Sequence, residues 1–445
     1  GNPVNHGSLT SFEQTGPDNY RPISLTCIAL KHFEHIILSN VMNHLTCNNF
    51  FFQNQHGFRQ GYSCDTQLFK FSHDLHTNLD SLSQTDAIFI DFSKAFDRVP
   101  HLRLLAKLSR LNIDPLIVSW IRSFLSSRVQ YTVVNTLESN LTDVLSGVPQ
   151  GSVLGPLLFL IFINDLPNSI TSNIRLFADD CVIYRQINCS SNHLLLQKDL
   201  DNITKWCDQS LMLLNHSKCK FVCFSRKHSP SLFKYSLGSS TIEYVQSYKY
   251  LGVHISSRMS WTLHIDSIHA EASRTLGYIR RCLHSAPPAL RQLAYETFVR
   301  PKIEYAAAIW SPHQIYLTNT LESIQNRAAQ FILSNYERIA SVSAMKASLC
   351  LPTLISRRRI SRICLFQKIF YYHPLLRQSL LLEPHRSSRR LFNPLSVRRI
   401  HGSTVTFNNS FLPLAIIEWN NLPDHVVLIS DPDLFRHTVS SIFNM

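Results

Sequence analysis

The chain has 445 residues, 44% of them hydrophobic, and a formal net charge of +13. This length allows two or three domains with sizeable hydrophobic cores, and the positive charge suits a polyanionic partner. No apolar run reaches the about 18 residues that a transmembrane helix needs, and no secretory signal is recognisable, which argues against a membrane protein and a secreted protein. The eleven cysteines form no CxxC pair, which argues against a zinc site.

The N-terminal region is predicted to hold an extended segment and two helices. The opening residues are polar, and because Gly1 is not a natural initiator we expect a fragment of a longer protein. Asn19–Ile37 begins extended around Pro22 and then becomes helical, with apolar residues at helical spacing up to Leu45. Gln55–Leu68 is a glycine-marked turn that enters another helix.

A strand that carries a carboxylate at its end follows. Ala87–Phe92 (AIFIDF) is strand-like, and Asp91 lies where it passes into a helix-like stretch. Leu102–Leu125 is strongly amphipathic and is predicted to be helical, with a break near Asp114 and Pro115.

Two short strands, Val129–Thr136 and Leu141–Leu145, are predicted to lead into a glycine-rich turn. The turn lies in Ser146–Phe159 (SGVPQGSVLGPLLF), where glycine permits close approach of the backbone to a ligand and Gln150 offers both donors and acceptors. Leu157–Ile163 is apolar enough to be a helix buried beneath a sheet.

An acidic hairpin comes next. Asp179 and Asp180 stand between two apolar runs, Ile174–Ala178 and Cys181–Tyr184, which predicts two strands joined by a tight turn. An acidic turn alone is a weak signal, because Asp is common in ordinary turns. Together with Asp91, the hairpin would form an oxygen-only cage for hard divalent cations, and two such ions stabilise the attacking and leaving oxygens of an in-line phosphoryl displacement. From the residues alone, the prediction is two-metal phosphoryl transfer.

The rest of the chain is predicted to be mainly helical. Asn192–Leu214 has a helical pattern, and Leu213–Ser225 is a loop followed by a strand. Tyr248–Ile255 alternates aromatic and apolar residues as a hairpin or a sheet edge does. Trp261–Tyr336 is predicted to form helices with apolar faces and interleaved arginines.

The clearest charge bias lies in Leu351–His401, where eleven Lys or Arg residues are opposed only by Glu383. Such a stretch suits binding to a nucleic-acid backbone through counterion release. A nuclear-import-like stretch or a merely solvated basic stretch stays open as the alternative.

Three segments resemble the palm motifs of reverse transcriptases: IDFSKAFD (Ile90–Asp97), SGVPQGSVLGPLLF (Ser146–Phe159) and LFADDCVIY (Leu176–Tyr184). Their residues are similar to those of non-LTR (LINE-type, jockey-like) retrotransposon enzymes, and the likeness reaches from Asn19 to the EWNNLPDHV string near the C-terminus. The resemblance implies an α+β fold of the right-hand polymerase type, in which an antiparallel palm sheet with helices is combined with partial fingers, a helical thumb and a basic C-terminal region. The expected ranges are 1–85 for the fingers, 86–257 for the palm, 258–345 for the thumb and 346–445 for the basic region.

The resemblance also assigns the metal site. It implies that Asp91, Asp179 and Asp180 are the catalytic and metal-binding carboxylates, and that Phe92 contributes its backbone carbonyl. The expected cofactor is a pair of Mg²⁺ ions, with Mn²⁺ as a substitute. Phe96 falls where the family places an aromatic steric gate under the sugar. RNA-copying RNA polymerases carry an Asp there, so the resemblance implies a deoxynucleotide substrate; a plain core aromatic is the alternative.

Residues that contact nucleotide and nucleic acid follow from the same resemblance. Expected nucleotide contacts are Arg21, Phe96, Gln150, Gly151 and Lys218, with Lys220 as the second choice for the lysine near the leaving pyrophosphate. Expected nucleic-acid contacts are Arg59, Tyr250, Gly252, Arg357, Arg358 and Arg359.

The implied function is RNA-directed DNA synthesis, with an RNA template, a DNA primer and a dNTP as partners and with no membrane. Full-length relatives carry an endonuclease ahead of the polymerase, which we do not expect in this chain. The expected location is intracellular, in the nucleus. The alternative is a catalytically inactive, truncated element copy that retains nucleic-acid binding.

Overall fold

A computed structural model of the chain describes residues 5–9, 20–134, 137–384 and 393–443. The chain divides into two compact units, of which the first comprises Gly1–Tyr62, Asp86–Phe221 and Ser231–Tyr244, and the second comprises Ser63–Thr85, Val222–Pro230 and Val245–Met445. This grouping differs from the predicted ranges, because 258–345 and 346–445 fall in one unit and 1–85 is divided between the two.

The described residues form short strands and a larger number of helices. The strands are β1 (Asn5–Leu9), β2 (Tyr20–Ser24), β3 (Gln84–Ile90), β4 (Val129–Gln130), β5 (Val133–Val134), β6 (Leu137–Glu138), β7 (Thr142–Asp143), β8 (Asn173–Phe177), β9 (Asp180–Ile187), β10 (Lys220–Phe224), β11 (Ser236–Leu237), β12 (Ser240–Thr241), β13 (Glu243–Tyr244), β14 (Ser247–Tyr250) and β15 (Val253–Ser256).

The α-helices are α1 (Ile28–Cys47), α2 (Cys64–Asp80), α3 (His101–Leu108), α4 (Pro115–Leu125), α5 (Gly155–Ile163), α6 (Ser190–Ser210), α7 (Thr262–Cys282), α8 (Pro288–Ala294), α9 (Arg300–Glu304), α10 (Ala307–Trp310), α11 (Ile315–Leu333), α12 (Val342–Ser348), α13 (Leu354–Tyr372), α14 (Pro374–Leu380), α15 (Val405–Asn408), α16 (Phe411–Asn420), α17 (Asp424–Val427) and α18 (Pro432–Phe443). Two short 3-10 helices, Ala95–Arg98 and Leu166–Ser169, and a π-helical turn, Tyr295–Val299, interrupt them.

A five-stranded sheet with the order β13-β10-β3-β9-β8 is the centre of the palm. The central strand β3 is buried along its whole length, and β8 and β9 form the predicted antiparallel hairpin. Helix α6 packs on β9, and α5, which is almost entirely buried, packs on α3. The edge pair β10 and β13 is parallel, so the predicted antiparallel sheet holds for the hairpin but not for every pair. The predicted α+β palm fold is confirmed.

Local sequence explains where several helices begin and end. The Asp114 side chain accepts a 2.8 Å hydrogen bond from the backbone N–H of Leu116, and Pro115 occupies the first turn of α4. The predicted break in Leu102–Leu125 is therefore confirmed. By contrast, α6 ends at Ser210, four residues earlier than predicted, because Leu211 adopts a left-handed conformation.

The second unit is helical. Helices α7 and α11 pack together, and α13 packs against α10, α16 and α18. The largest side chains of this core, Trp310 and Trp419, are fully buried. Among the described residues, no helix is both long enough and apolar enough to cross a bilayer.

Candidate functional site

Asp91 directly follows β3, and a loop from a distant part of the chain holds its peptide in place. The carbonyl of Asp91 accepts a 2.8 Å hydrogen bond from the backbone N–H of Asn215, and its own N–H donates to the Cys219 sulfur at 3.4 Å. The next residues continue the contact, since the Ser93 N–H donates to the Leu213 carbonyl at 2.8 Å. The position of this half-buried carboxylate is therefore fixed from both sides of its backbone.

Three thiols near these segments, Cys181, Cys207 and Cys219, are buried, and Cys219 accepts the Asp91 N–H. Burial raises the pKa values of Cys219 and Cys181, and that of Cys207 to about 12, and the pKa of Cys181 is further raised by the neighbouring Cys219 and Asp180. In the absence of a metal ion, these thiols are therefore protonated and uncharged at neutral pH. Cys219, which accepts the Asp91 N–H, interacts electrostatically with Cys181, the residue after Asp180.

The hairpin tip differs by one residue from the prediction. Asp180 is paired with Phe177 as the first residue of β9, so the turn consists of Ala178 and Asp179 rather than of the two aspartates. Ala178 has a φ of +55°, a left-handed conformation that is unusual for alanine. Asp179 is half-buried and Asp180 is exposed.

The turn is held by Gln55, a residue that the sequence interpretation did not select. The Gln55 side-chain oxygen accepts hydrogen bonds from the N–H groups of Ala178, at 3.0 Å, and Gly57, at 2.9 Å. Gln55 also pairs with Leu176 in a parallel bridge along the outer edge of β8. A side chain at Gly57 would collide with the Ala178 backbone, so only glycine permits this approach. The motif QHGFR carried this signal, but only its arginine was selected.

The glycine-rich turn lies directly against the residues that follow Asp91. Gln150 donates a 2.8 Å hydrogen bond from its amide to the Asp97 carboxylate, and the Val148 N–H donates to the Phe96 carbonyl at 2.8 Å. The ring of Phe96 is half-buried and stacked on Phe159 with a centroid separation of 4.4 Å. The first two sequence motifs thus form one continuous surface, in which the positions of Phe96 and Gln150 depend on each other.

The same turn contacts the strand that carries Arg21. The Gln150 carbonyl accepts a 2.7 Å hydrogen bond from the N–H of Ser24, the last residue of β2. Gly151 has a φ of +95°, and a Cβ there would lie 2.8 Å from the Ser24 carbonyl oxygen, so glycine is needed for both conformation and space. Arg21 itself lies in β2, but its side chain is outside the described residues.

Glu34 is a second residue that the sequence interpretation missed. It is fully buried in α1, and one of its carboxylate oxygens accepts hydrogen bonds from the N–H groups of Val153, at 2.7 Å, and Leu154, at 3.0 Å. These N–H groups stand just before α5 and have no partner within the helix. A buried acid on α1 therefore fixes the exit of the glycine-rich turn.

The two candidate lysines are distinguished by their partners. Lys218 is exposed on the loop that holds Asp91, where its backbone N–H donates to the Asn215 carbonyl at 3.0 Å. Lys220 forms a 2.5 Å ion pair with Glu243. The side chain of Lys218 is thus the one available to a ligand beside Asp91.

The donor chemistry of this end of the sheet fits a hard divalent cation. The predicted ligands Asp91, Asp179 and Asp180 offer carboxylate oxygens, which Mg²⁺ and Ca²⁺ prefer. Within the described part of the chain, no group of three or more His, Cys, Asp or Glu side chains is arranged to hold a metal ion. Mg²⁺ usually takes only one or two carboxylates and completes its shell with substrate phosphates and water. The carboxylates present are sufficient for that mode, and their assignment as ligands stays a prediction. The ring of Phe92 is buried and packs against Trp206 with a centroid separation of 6.4 Å, which anchors the backbone just after Asp91.

Comparison with known proteins agrees with this geometry. The family described as reverse transcriptase (RNA-dependent DNA polymerase) matches residues 11–255. The chain belongs to this family. Reverse transcriptases bind a nucleic-acid template and generally use divalent metal ions.

The chain is similar to proteins of mobile elements. It is 29% identical over 332 residues to the probable RNA-directed DNA polymerase from transposon BS of Drosophila melanogaster, a match that covers 72% of this chain and 36% of the relative. It is 30% identical over 275 residues to the RNA-directed DNA polymerase from mobile element jockey of the same species, covering 60% of this chain and 30% of the relative. The chain thus spans about a third of the length of these relatives. The predicted likeness to jockey-like non-LTR enzymes is confirmed.

Among solved structures, a telomerase from Candida albicans is similar to this chain with a TM-score of 0.42 and 12% identity. The match covers 85% of this chain and 64% of that chain.

Two of the predicted nucleic-acid contacts have mainly structural roles. Arg59 donates to the carbonyls of Phe52, at 3.1 Å, and Gln55, at 3.2 Å. Its guanidinium also lies over the Tyr62 ring, so Arg59 stabilises the loop to which it belongs. Tyr250 is buried, and its hydroxyl accepts a 2.9 Å hydrogen bond from Gln67. The Tyr250 ring therefore packs in the core of the second unit, and the assignment of Tyr250 to nucleic acid stays a prediction.

Gly252 occupies the turn between β14 and β15. It is exposed and has a φ of +82°. The hydroxyl of Tyr305 donates to the neighbouring Leu251 carbonyl at 2.9 Å. The hairpin is thus fastened to the helical part of the second unit, and the assignment of Gly252 to nucleic acid stays a prediction.

The three consecutive arginines of α13 are half-buried or buried within the second unit. Arg357 pairs through two nitrogens with the Glu304 carboxylate, a contact that raises the pKa of the arginine. Arg358 is only 3% exposed, and burial lowers its pKa to about 10. Arg359 lies 3.3 Å from Glu418 and stacks over a ring at the C-terminal end. Arg357 and Arg359 thus lie beside carboxylates of the same unit, whereas Arg358 is buried and forms no ion pair with a described residue. The assignment of the three arginines to nucleic acid stays a prediction.

We expect the side chain of Gln55 to control the order of the hairpin tip. Replacing Gln55 with Ala leaves two buried N–H groups unpaired, which costs about 1–3 kcal/mol. Amide exchange at Ala178 and Asp179 should therefore accelerate, as measured by hydrogen–deuterium exchange. Gln53→Ala changes an exposed residue two positions away and serves as the matched control. Equal exchange in wild type and Gln55→Ala would contradict the role of Gln55.

Neighbouring arginines of α13 should respond in opposite ways to the same substitution. Arg357→Met leaves Glu304 without its partner and should lower the free energy of unfolding by about 1–3 kcal/mol. Arg358→Met removes a buried cation whose Nε and Nη1 have no hydrogen-bond partner among the described residues, and stability should be unchanged or higher. Urea unfolding followed by tryptophan fluorescence measures both. If Arg357→Met left stability intact and flattened the salt dependence of RNA binding, the original nucleic-acid assignment would be right.

Proposed function

We propose that this chain is the polymerase part of a non-LTR retrotransposon protein and catalyses RNA-directed DNA synthesis. The observation that carries the proposal is the convergence of the three motifs around Asp91 within the first unit. The strand β3, which ends just before Asp91, lies beside the hairpin strand β9 in the sheet. Asp97 accepts a hydrogen bond from Gln150 of the glycine-rich turn, and Phe96 stacks on Phe159, which follows the turn. A strand end with carboxylates next to a glycine turn is what phosphoryl transfer to a bound nucleotide requires.

In the proposed reaction, the 3′-hydroxyl of a DNA primer attacks the α-phosphate of a dNTP and pyrophosphate leaves. Asp91, Asp179 and Asp180 would hold two Mg²⁺ ions, and Phe92 would add its backbone carbonyl. When bound, these ions would stabilise the attacking and leaving oxygens. The chain contributes the placement of the carboxylates, through the Asn215–Cys219 loop on one side and Gln55 on the other.

The remaining residues would bind the nucleotide. Arg21 would contact the triphosphate, because a guanidinium is permanently charged and forms paired hydrogen bonds to phosphate oxygens. Gln150 and Gly151 would contact the incoming nucleotide and the templating base, and their link to Ser24 supports a shared position with the Arg21 strand. Lys218 would donate a proton to the pyrophosphate as negative charge develops.

Phe96 would select the sugar. The stack on Phe159, together with an edge contact of 6.2 Å to Phe58, restricts movement of the ring. A ring that cannot move aside would exclude a ribose 2′-hydroxyl. The template would be RNA and the primer DNA, and the reaction would take place in the nucleus. An endonuclease activity would come from another part of the full-length element.

Removal of one carboxylate should abolish the reaction. With Mg²⁺, the purified chain should extend a DNA primer on an RNA template, and Asp179→Ala should reduce extension by at least about 100-fold, as expected for loss of a group that stabilises developing charge. Asp143→Ala, which changes an exposed acid of the same unit, should leave the rate unchanged. Extension by Asp179→Ala at the wild-type rate would contradict the metal site, and no extension by wild type would favour the inactive-copy alternative.

The sugar preference depends on the ring at position 96. Phe96→Ala should raise ribonucleotide incorporation relative to deoxynucleotide incorporation by on the order of 10- to 100-fold, the scale on which a pocket distinguishes one hydroxyl. Phe96→Tyr keeps the ring and should keep the preference for deoxynucleotides. Primer extension with single nucleotides gives kcat/KM for each sugar. If Phe96→Ala retains wild-type selectivity, as Phe96→Tyr is expected to, the proposed role of Phe96 as a steric gate is contradicted.

A further inference from the structure

A basic pocket lies within the second unit, where α7 and α11 end. Its volume is about 480 Å³, within the range of about 300–1,000 Å³ that small ligands occupy. Arg280, Arg281, His284 and Arg291 line it, together with Ser334 and Tyr336. The pocket shares no residue with the site built around Asp91.

The charge of the pocket is not neutralised internally. No carboxylate is among its lining residues, and none of its three arginines forms an ion pair with any described residue. The ends of α7 and α11 each contribute a partial charge of roughly −0.5, which is less than the charge of the three guanidinium groups. The pocket therefore carries a net positive charge and suits an anion.

The arginines have two different roles. Arg291 is 8% exposed and donates to carbonyls at both helix ends, including those of His284, at 2.5 Å, and Phe331, at 2.9 Å. It is a fixed cation in the pocket wall. Arg280 and Arg281, in the last turn of α7, are exposed, so their guanidinium groups are available to an incoming ligand.

The pocket also has an exposed aromatic surface. Tyr336 is 54% exposed, and the Arg280 guanidinium lies 5.6 Å from its ring centroid. A base stacks well on such a ring, whichever base it is. A simple anion would use only the arginines, and a simple aromatic ligand would use only the tyrosine.

We propose that this pocket binds one nucleotide unit, with the phosphate held by Arg280 and Arg281 and the base stacked on Tyr336. The unit is either a free nucleotide or a nucleotide within a single strand, since both offer the same phosphate and base. It is a second nucleotide site of the chain and does not depend on polymerase activity.

Photolabelling of the full chain tests the site directly. The probes are 8-azidoadenosine 5′-monophosphate and a hexa-adenylate that carries the same reactive base, and peptide mapping should find the adduct at or next to Tyr336. Arg280→Ala with Arg281→Ala should weaken binding about tenfold or more, as for lost hydrogen bonds to a charged group. For the strand, the double variant should also lower the salt slope by about 0.7 per arginine. Tyr336→Ala should weaken binding at least about fivefold, and Tyr336→Phe, which keeps the ring, should retain it.

Arg274→Ala, an exposed arginine on α7 outside the pocket lining, is the matched control and should bind like wild type. If the monophosphate labels the site and competes with hexa-adenylate, the pocket takes free nucleotides. If only hexa-adenylate labels it, the pocket takes a strand. An adduct elsewhere, or unchanged affinity in both the arginine and the Tyr336→Ala variants, overturns the proposal. Should the double variant unfold, the two Tyr336 variants decide, because that side chain is exposed.

Discussion

The geometry of the site depends on one constraint: buried peptide groups at the ends of its strands and helices need hydrogen-bond partners. Asp91 stands where β3 stops, so its N–H donates to the Cys219 sulfur and its carbonyl accepts from the Asn215 N–H. Ala178 stands where β8 stops, and its N–H is supplied by Gln55. In both places a loop from elsewhere in the chain completes the pairing, and the carboxylates are positioned as a result.

The glycine-rich turn is held by the same principle. Its peptide groups bond to Phe96 and Ser24, and the N–H groups that open α5 bond to Glu34. Glu34 and Ser24 both precede the first palm strand in sequence, yet they fix a turn more than a hundred residues later. The segment before the palm is thus part of the framework of the candidate site, and a change in that segment would be transmitted to the glycine-rich turn.

The sequence patterns that correctly predicted the elements around the candidate site are local ones. Apolar runs located β3 and the hairpin, and Asp114 with Pro115 located a helix break. The partners of these elements could not be predicted in this way. Gln55 and Ala178 are 123 residues apart, and no periodicity indicates that one side chain will pair with the other's backbone. The single-residue shift at the hairpin has a similar origin, because the tight turn forms at Ala178, whose unusual backbone conformation is stabilised by this distant contact.

The C-terminal arginines show why a charge count is a poor guide to a binding surface. Arg357 and Arg362 each form a two-nitrogen contact with a glutamate more than fifty residues away, Glu304 and Glu418 respectively. Such a pair contributes no free positive charge, although its arginine counts fully in the composition. A guanidinium is available to nucleic acid only where the fold gives it no carboxylate of its own. Arg280 and Arg281 are exposed and form no ion pair with a described residue, and they stand beside the exposed ring of Tyr336, which the charge pattern of the sequence did not single out.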